Sequence, residues 1–101
     1  MNTKTFADRL REDRRLVLLR LLSEQNGYMT NSSILHAGLH HMGVASSRDD
    51  VLTDLYWLRD QDLVRLSEAV PGVEVAVLTG RGHDVVQGSA VVPGVSRPSP
   101  K

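Results

Sequence analysis

Three groups of side chains in this chain have types and spacings that can do chemistry. The first is His36, His40 and His41. Residues four apart share a helix face, and imidazole suits zinc, copper or nickel. The chain has no cysteine and no carboxylate close in sequence to complete a ligand set; only His83 or Asp84 can approach after folding. A partly exposed histidine cluster near a turn is therefore expected, with no metal site. The second group is Ser46-Ser47 with Asp49-Asp50. Both serines are competent helix N-caps, each followed three residues later by an acidic residue, as in a capping box. Adjacent aspartates on a helix point in different directions and cannot work as a paired acid and base. Gly80-x-Gly82 lacks the third glycine and the preceding context of a nucleotide loop. No catalytic constellation results, so neither an enzyme nor a cofactor is expected.

The third group is a separation of charge. From Met1 to Arg20 stand Lys4, Arg9, Arg11, Arg14, Arg15 and Arg20 against Asp8, Glu12 and Asp13. From Ser46 to Asp62 stand Asp49, Asp50, Asp54, Asp60 and Asp62 against only Arg48 and Arg59. The basic stretch has three readings: a stripe that touches a nucleic-acid backbone, a solvated face paired through near neighbours, or a surface meeting the acidic segment of a second copy.

The elements that must position these groups follow from apolar spacing. Thr5 to Glu24 reads as the first and longest helix, with Leu10, Val17, Leu18, Leu21 and Leu22 at helical spacing. Leu16 and Leu19 widen that stripe beyond one packed face, which makes Leu10, Leu16 and Leu19 candidates for a dimer seam. Asn26-Gly27 ends the helix, and Tyr28-Met29-Thr30 is a short extended bridge. Asn31 can cap a second helix, Ser32 to about His41, with Ile34, Leu35 and Leu39 inward. Met42 to Ala45 is the turn. A third helix runs to about Gln61 with Val51, Leu55 and Leu58 inward, leaving Arg48, Asp49, Asp50, Thr53, Asp54 and Trp57 largely outward. Asp62 stands where a left-handed stop is expected. Leu63 to Leu66 and Val73 to Leu78 alternate as two strands around a tip containing Pro71-Gly72. Thr79 then caps a short helix ending at Gly88, whose Val85 and Val86 can dock on the first. Residues 90–101, with Pro93, Pro98 and Pro100, read as an extended tail outside the core.

Length and composition agree with a single small unit. A chain of 101 residues is one domain, here divided as 1–88 and a Pro-rich tail at 89–101. Lysine plus arginine and aspartate plus glutamate both number 12, so a nucleic-acid surface has to come from local segregation. Leu16 to Leu22 is too short and too interrupted for a membrane span, and no signal peptide is evident, so a cytoplasmic protein is expected.

Ser47 to Leu66, with Val51, Leu55, Leu58 and Leu63-Val64, resembles the helix-and-wing signature of winged-helix regulators of the arsenical-repressor and multiple-antibiotic-resistance types. Thr79-Gly80-Arg81-Gly82 resembles the Thr-x-x-Gly segment that often follows their wing. More narrowly, Asp54-Leu55-Tyr56-Trp57-Leu58 together with Val92-Pro93-Gly94-Val95-x-Arg97-Pro98 resembles a family of small proteins from Mu-like phages and prophages. Two features depart from the pattern: Asp62 replaces the usual glycine, and the third helix is unusually acidic. The resemblance implies an α+β, mostly α, winged helix-turn-helix with three helices, a two-stranded wing, a short C-terminal helix and an extended tail. It implies a dimeric regulator of double-stranded DNA in which Ser46, Ser47, Arg48 and Thr53 approach the duplex and Arg65 holds the adjacent backbone. The alternative is a protein-interaction module that sets the acidic third helix against a basic protein partner and offers the tail as an extended ligand.

Overall fold

A computed structural model describes residues 3–99. The order is α1 (Phe6–Ser23), a 3-10 turn (Asn26–Tyr28), β1 (Met29–Asn31), α2 (Ser32–His41), α3 (Arg48–Asp60), β2 (Val64–Val70), β3 (Val73–Leu78) and α4 (Gly80–Gln87). Four helices thus surround one antiparallel sheet of three strands in the order β1-β3-β2. The expected extended bridge is a true strand, with Met29 opposite Val77 and Asn31 opposite Val75, so the sheet has one strand more than the two expected. β2 also continues to Val70, through residues read as turn, with an irregularity between Glu68 and Val70. Period-two alternation fades after Leu66, so sequence pattern alone could not extend the strand.

The helix ends are written in local chemistry. Thr5 and Asp8 close a capping box at α1, and Ser47 and Asp50 close another at α3, each satisfying amides that a helix start leaves free. Asn31 caps α2 through Ile34 N–H at 2.9 Å. Asp62 takes the left-handed conformation at φ 61° and turns the chain from α3 into β2. Thr79 caps α4 by accepting from Gly82 N–H at 3.0 Å. A Cβ on Gly82 would fall well inside contact with the Leu63 carbonyl oxygen, so the Thr-x-x-Gly segment combines a cap with a close approach of α4 to the chain just before β2.

The core collects Leu18, Leu19 and Leu22 of α1, Leu35 and Leu39 of α2, Val51, Leu55 and Leu58 of α3, and Leu63, Val64, Ala76 and Val85. This corrects two expectations about α1. Leu16 and Leu19 are 5% and 0% exposed and cannot form a dimer seam, because both belong to the common core of the folded chain. Leu10 is exposed, beside Phe6 at 76%, and does not belong to the buried stripe. Ile34 also faces out rather than in.

The tail expectation is corrected as well. Residues 90–97 form no helix or strand, yet Val92 and Val95 are 3% and 5% exposed within the core. Ser96 N–H donates to the Glu12 carbonyl at 3.2 Å, and its hydroxyl donates to the Asp13 carboxylate. The segment runs back along α1, with Gly94 beside Arg15 and Ser96 beside Glu12 and Asp13. It is therefore not available as an extended ligand. Pro100 and Lys101, also assigned to the tail, lie outside the described residues.

Candidate nucleic-acid interface

The acidity of α3 resolves once each carboxylate is placed. Asp54, expected outward, is 0% exposed and is held by two arginines of α1. Arg14 Nε donates to Asp54 Oδ2, and Arg15 Nε donates to Oδ1 at 3.2 Å. A carboxylate taken from water this completely needs such partners, because an unpaired buried charge costs several kcal/mol. Arg15 also lies over the Trp57 ring, 3.9 Å from its centroid, and donates through Nη1 to the Gly94 carbonyl at 3.0 Å. Burial pulls the Arg15 guanidinium below its ordinary value, and Asp54 opposes that shift. Trp57, expected largely outward, is half-buried in this arrangement. The basic first helix and the acidic third helix thus meet within one chain, which corrects the idea that α1 awaits the acidic helix of a second copy.

Asp50 is engaged differently. It accepts from Ser47 N–H at 2.9 Å in the capping box and lies 3.9 Å from Arg14. The hydrogen bond from the Ser47 backbone, then that from its side chain, hold its carboxyl below the usual range. What remains on the solvent face of α3 is Arg48, Asp49, Thr53, Tyr56, Arg59 and Asp60. Arg48, Leu52, Tyr56 and Arg59 follow helical spacing along one ridge. Arg59 lies over Tyr56, 5.1 Å from the ring centroid, and pairs with Asp60 at 3.3 Å.

The five expected contact residues are only partly brought together. Arg48 and Thr53 are exposed on α3, and Arg48 lines a small cleft with Ser32, Leu52 and Gly72 at the hairpin tip. Ser47 is exposed, but its hydroxyl is occupied by Asp50 N–H at 3.0 Å. Ser46 does not reach out: its Oγ is buried without a partner, while its carbonyl accepts from His36 Nε2 at 2.9 Å. Arg65 is exposed on β2, opposite Val77. Tyr56 and Arg59 were missed; their three-residue spacing, in phase with Arg48 and Leu52, is the signal that would have found them.

His36 is the histidine with a structural task, and its bond to a carbonyl fixes the Nε2–H tautomer. His40 and His41 are exposed, and no group of three metal-ligating side chains occurs among the described residues. A groove of about 410 Å³ lies between the first half of α1 and residues 91–97, away from the α3 ridge. Among the described residues no helix is long and apolar enough to cross a membrane.

This is the architecture of a small α+β domain that presents one helix beside a β-hairpin, and solved structures share it. H. salinarum RosR superposes with a TM-score of 0.64 over 75% of this chain and 67% of that one, at 19% identity. The hsRosR–S1 complex gives 0.62 over 74% and 65%, at 20% identity. At these identities the likeness is one of fold. In sequence, gp26 of Escherichia phage Mu is 47% identical over 94 residues, covering 93% of this chain and 96% of gp26. A protein of Haemophilus influenzae Rd is 43% identical over 77 residues, covering 76% and 74%. The chain belongs to the family of phage Mu gp26. No protein-family model matches it.

Proposed function

We propose that this protein is a winged helix-turn-helix transcriptional regulator of phage or prophage type, with β2 and β3 as its wing. In this reading it binds double-stranded DNA as a homodimer. α3 is the recognition helix, with Arg48 and Thr53 approaching the groove and Arg65 holding the neighbouring backbone. Tyr56 and Arg59 extend the contact ridge, and Ser47 contributes through its position at the helix start. Ser46, whose hydroxyl is buried, acts by holding the turn. Leu10 with Phe6 is the part of the proposed dimer seam that faces solvent.

One observation carries the reading: Asp54 is buried between Arg14 and Arg15, so the most awkward carboxylate on α3 never meets a phosphate. With Asp50 engaged by its cap and Arg14, the exposed face of α3 itself sets Arg48 and Arg59 against Asp49 and Asp60, with Asp62 exposed just beyond the end of the helix, instead of five aspartates against two arginines. The phage family and the fold it shares with RosR support the same direction. The packed C-terminal segment removes one of the two features behind the protein-interaction alternative.

The test is fluorescence anisotropy against a pool of random-sequence duplexes and against phage operator-region fragments at low salt. Salt-sensitive binding is expected. Arg48→Ala should weaken it and lower the slope of log K against log salt by about 1. Absence of duplex binding by the wild-type protein at low salt ends the proposal.

A further inference from the structure

We infer that residues 92–96 form a positioning strap for α3, acting through Arg15. The inference rests partly on the DNA reading, because its functional consequence is the placement of the proposed recognition helix. α3 is held to α1 on its inner face by Asp54, and the same Arg15 that grips Asp54 through Nε grips the Gly94 carbonyl through Nη1. A planar guanidinium with several fixed donors can hold both at once, whereas a lysine ammonium at the end of a flexible stem reproduces neither geometry.

Two further contacts tie the strap to the helix. Gly94 adopts φ +101°, and a Cβ there would stand 2.6 Å from Trp57 Cζ2, so the strap backbone lies directly against an α3 side chain. Val92 and Val95 on either side of Gly94 are buried in the common core, which fixes the strap independently of the arginine. Arg15 is thus the junction of three elements, and the strap limits how far α3 can shift against α1. Neither Arg15 nor the strap contributes to the Arg48–Arg59 ridge, so their effect on a duplex passes through α3.

Three variants test this: deletion of residues 90–101, Gly94→Ala, and Arg15→Lys, which retains a positive charge near Asp54. Trp57 is the single tryptophan, so its emission reads the strap directly. Hydrogen exchange reads α3 and β2–β3 separately, and duplex anisotropy reads the consequence. The expected result is a red-shifted Trp57 emission and faster exchange in α3 than in β2–β3 for all three variants. Duplex affinity should fall about tenfold, within the usual span of site-to-site coupling. Should the deletion variant fail to fold, the two point variants carry the test. Equal acceleration of exchange in α3 and the hairpin would mean general destabilisation and overturn the inference; so would a shifted emission with unchanged exchange in α3. If the wild-type protein binds no duplex, the DNA reading falls alone, and the exchange comparison still decides whether the strap holds α3.

Discussion

Asp54→Ala should be the most damaging single substitution on α3, although the residue it replaces is polar. Asp54 is fully buried, and its two oxygens are divided between Arg14 and Arg15. Removing it leaves two guanidiniums facing each other with no counter-ion, and breaking a buried pair from one side costs about 3–5 kcal/mol. The Arg14 and Arg15 side chains are 14% and 10% exposed. Arg14 can turn toward Asp50, already 3.9 Å away, but Arg15 is enclosed by Trp57 and the Gly94 carbonyl. The lower end of the range, about 3 kcal/mol, is therefore expected. For a domain of this size each kcal/mol moves the melting temperature by about 4–8 °C, so the loss is about 12–24 °C.

Thermal melts followed by far-UV circular dichroism measure it, with urea midpoints as a second readout. Arg14→Ala should cost less, about 1.5 kcal/mol, because Arg15 still neutralises the carboxylate. The double variant Arg15→Met with Asp54→Leu should recover most of the single-variant loss, since apolar groups of similar volume replace a buried pair at little cost. A decrease below about 4 °C for Asp54→Ala, worth under 1 kcal/mol at this size, would refute the reasoning. A double variant no more stable than the single would do the same.

Two glycines two residues apart should behave oppositely. Gly82→Ala drives a methyl into the Leu63 carbonyl and should lower stability by about 1–3 kcal/mol, whereas Gly80→Ala enters open space and should be neutral or stabilising by about 0.5 kcal/mol; matching urea midpoints would contradict the packing of α4 described above. Ser47→Ala removes the side-chain half of the α3 cap and should lower stability by about 1 kcal/mol, measurable by denaturation, while carboxyl-carbon NMR titration should find Asp50 still below its ordinary value, because the backbone N–H of residue 47 continues to donate to it. Asp8 is likewise held below its ordinary value, first by the hydrogen bond from the Thr5 backbone. Because Asp8 and Asp50 both titrate lower when folded than unfolded, their contribution is full above the ordinary carboxylate pKa of about 3.9 and is lost as pH falls through the lower folded values. Urea midpoints from pH 6 to 2 should therefore fall less steeply for an Asp8→Asn, Asp50→Asn double variant, which removes the two titrating groups, than for the wild type.

The starts of α2, α3 and α4 were legible because capping is a short-range code: Asn31, Ser47 and Thr79 each bond to an amide within three residues. The left-handed turn at Asp62 was legible for the same reason. The burial of Asp54 was not. Its nearest partners stand 39 and 40 positions away, and an aspartate between Thr53 and Leu55 reads as a polar position by any local pattern. The same blindness hid the strap, because Val92 and Val95 are too few and too isolated among prolines to show a period. They are buried where the returning chain packs against Arg15 of α1 and Trp57 of α3. On α1, the leucine-rich run from Leu16 to Leu22 shows apolar positions all round the helix, so counting could not decide between core and seam; the elements packed around α1 decide it, by burying Leu16, Leu18, Leu19 and Leu22 in one core.

Charge counted along a chain and charge met by a partner are different quantities, and the difference gives a last measurable consequence. After Asp54 is neutralised inside and Asp50 is engaged at its cap, one copy offers a duplex Arg48, Arg59 and Arg65 as exposed cations on and beside α3. If each neutralises one phosphate, the slope of log K against log salt is about −3 for a single copy and about −5 for two, at roughly 0.9 per contact. Titration over a fourfold range of salt, on a duplex one helical turn long and on one three turns long, separates these cases. A slope near −3 on the short duplex and near −5 on the long one, together with a two-to-one protein stoichiometry, is expected of a homodimer bridging two half-sites. A slope shallower than about −2 on both would mean that the ridge does not meet phosphates, and that the internal pairing of α1 with α3 serves stability alone.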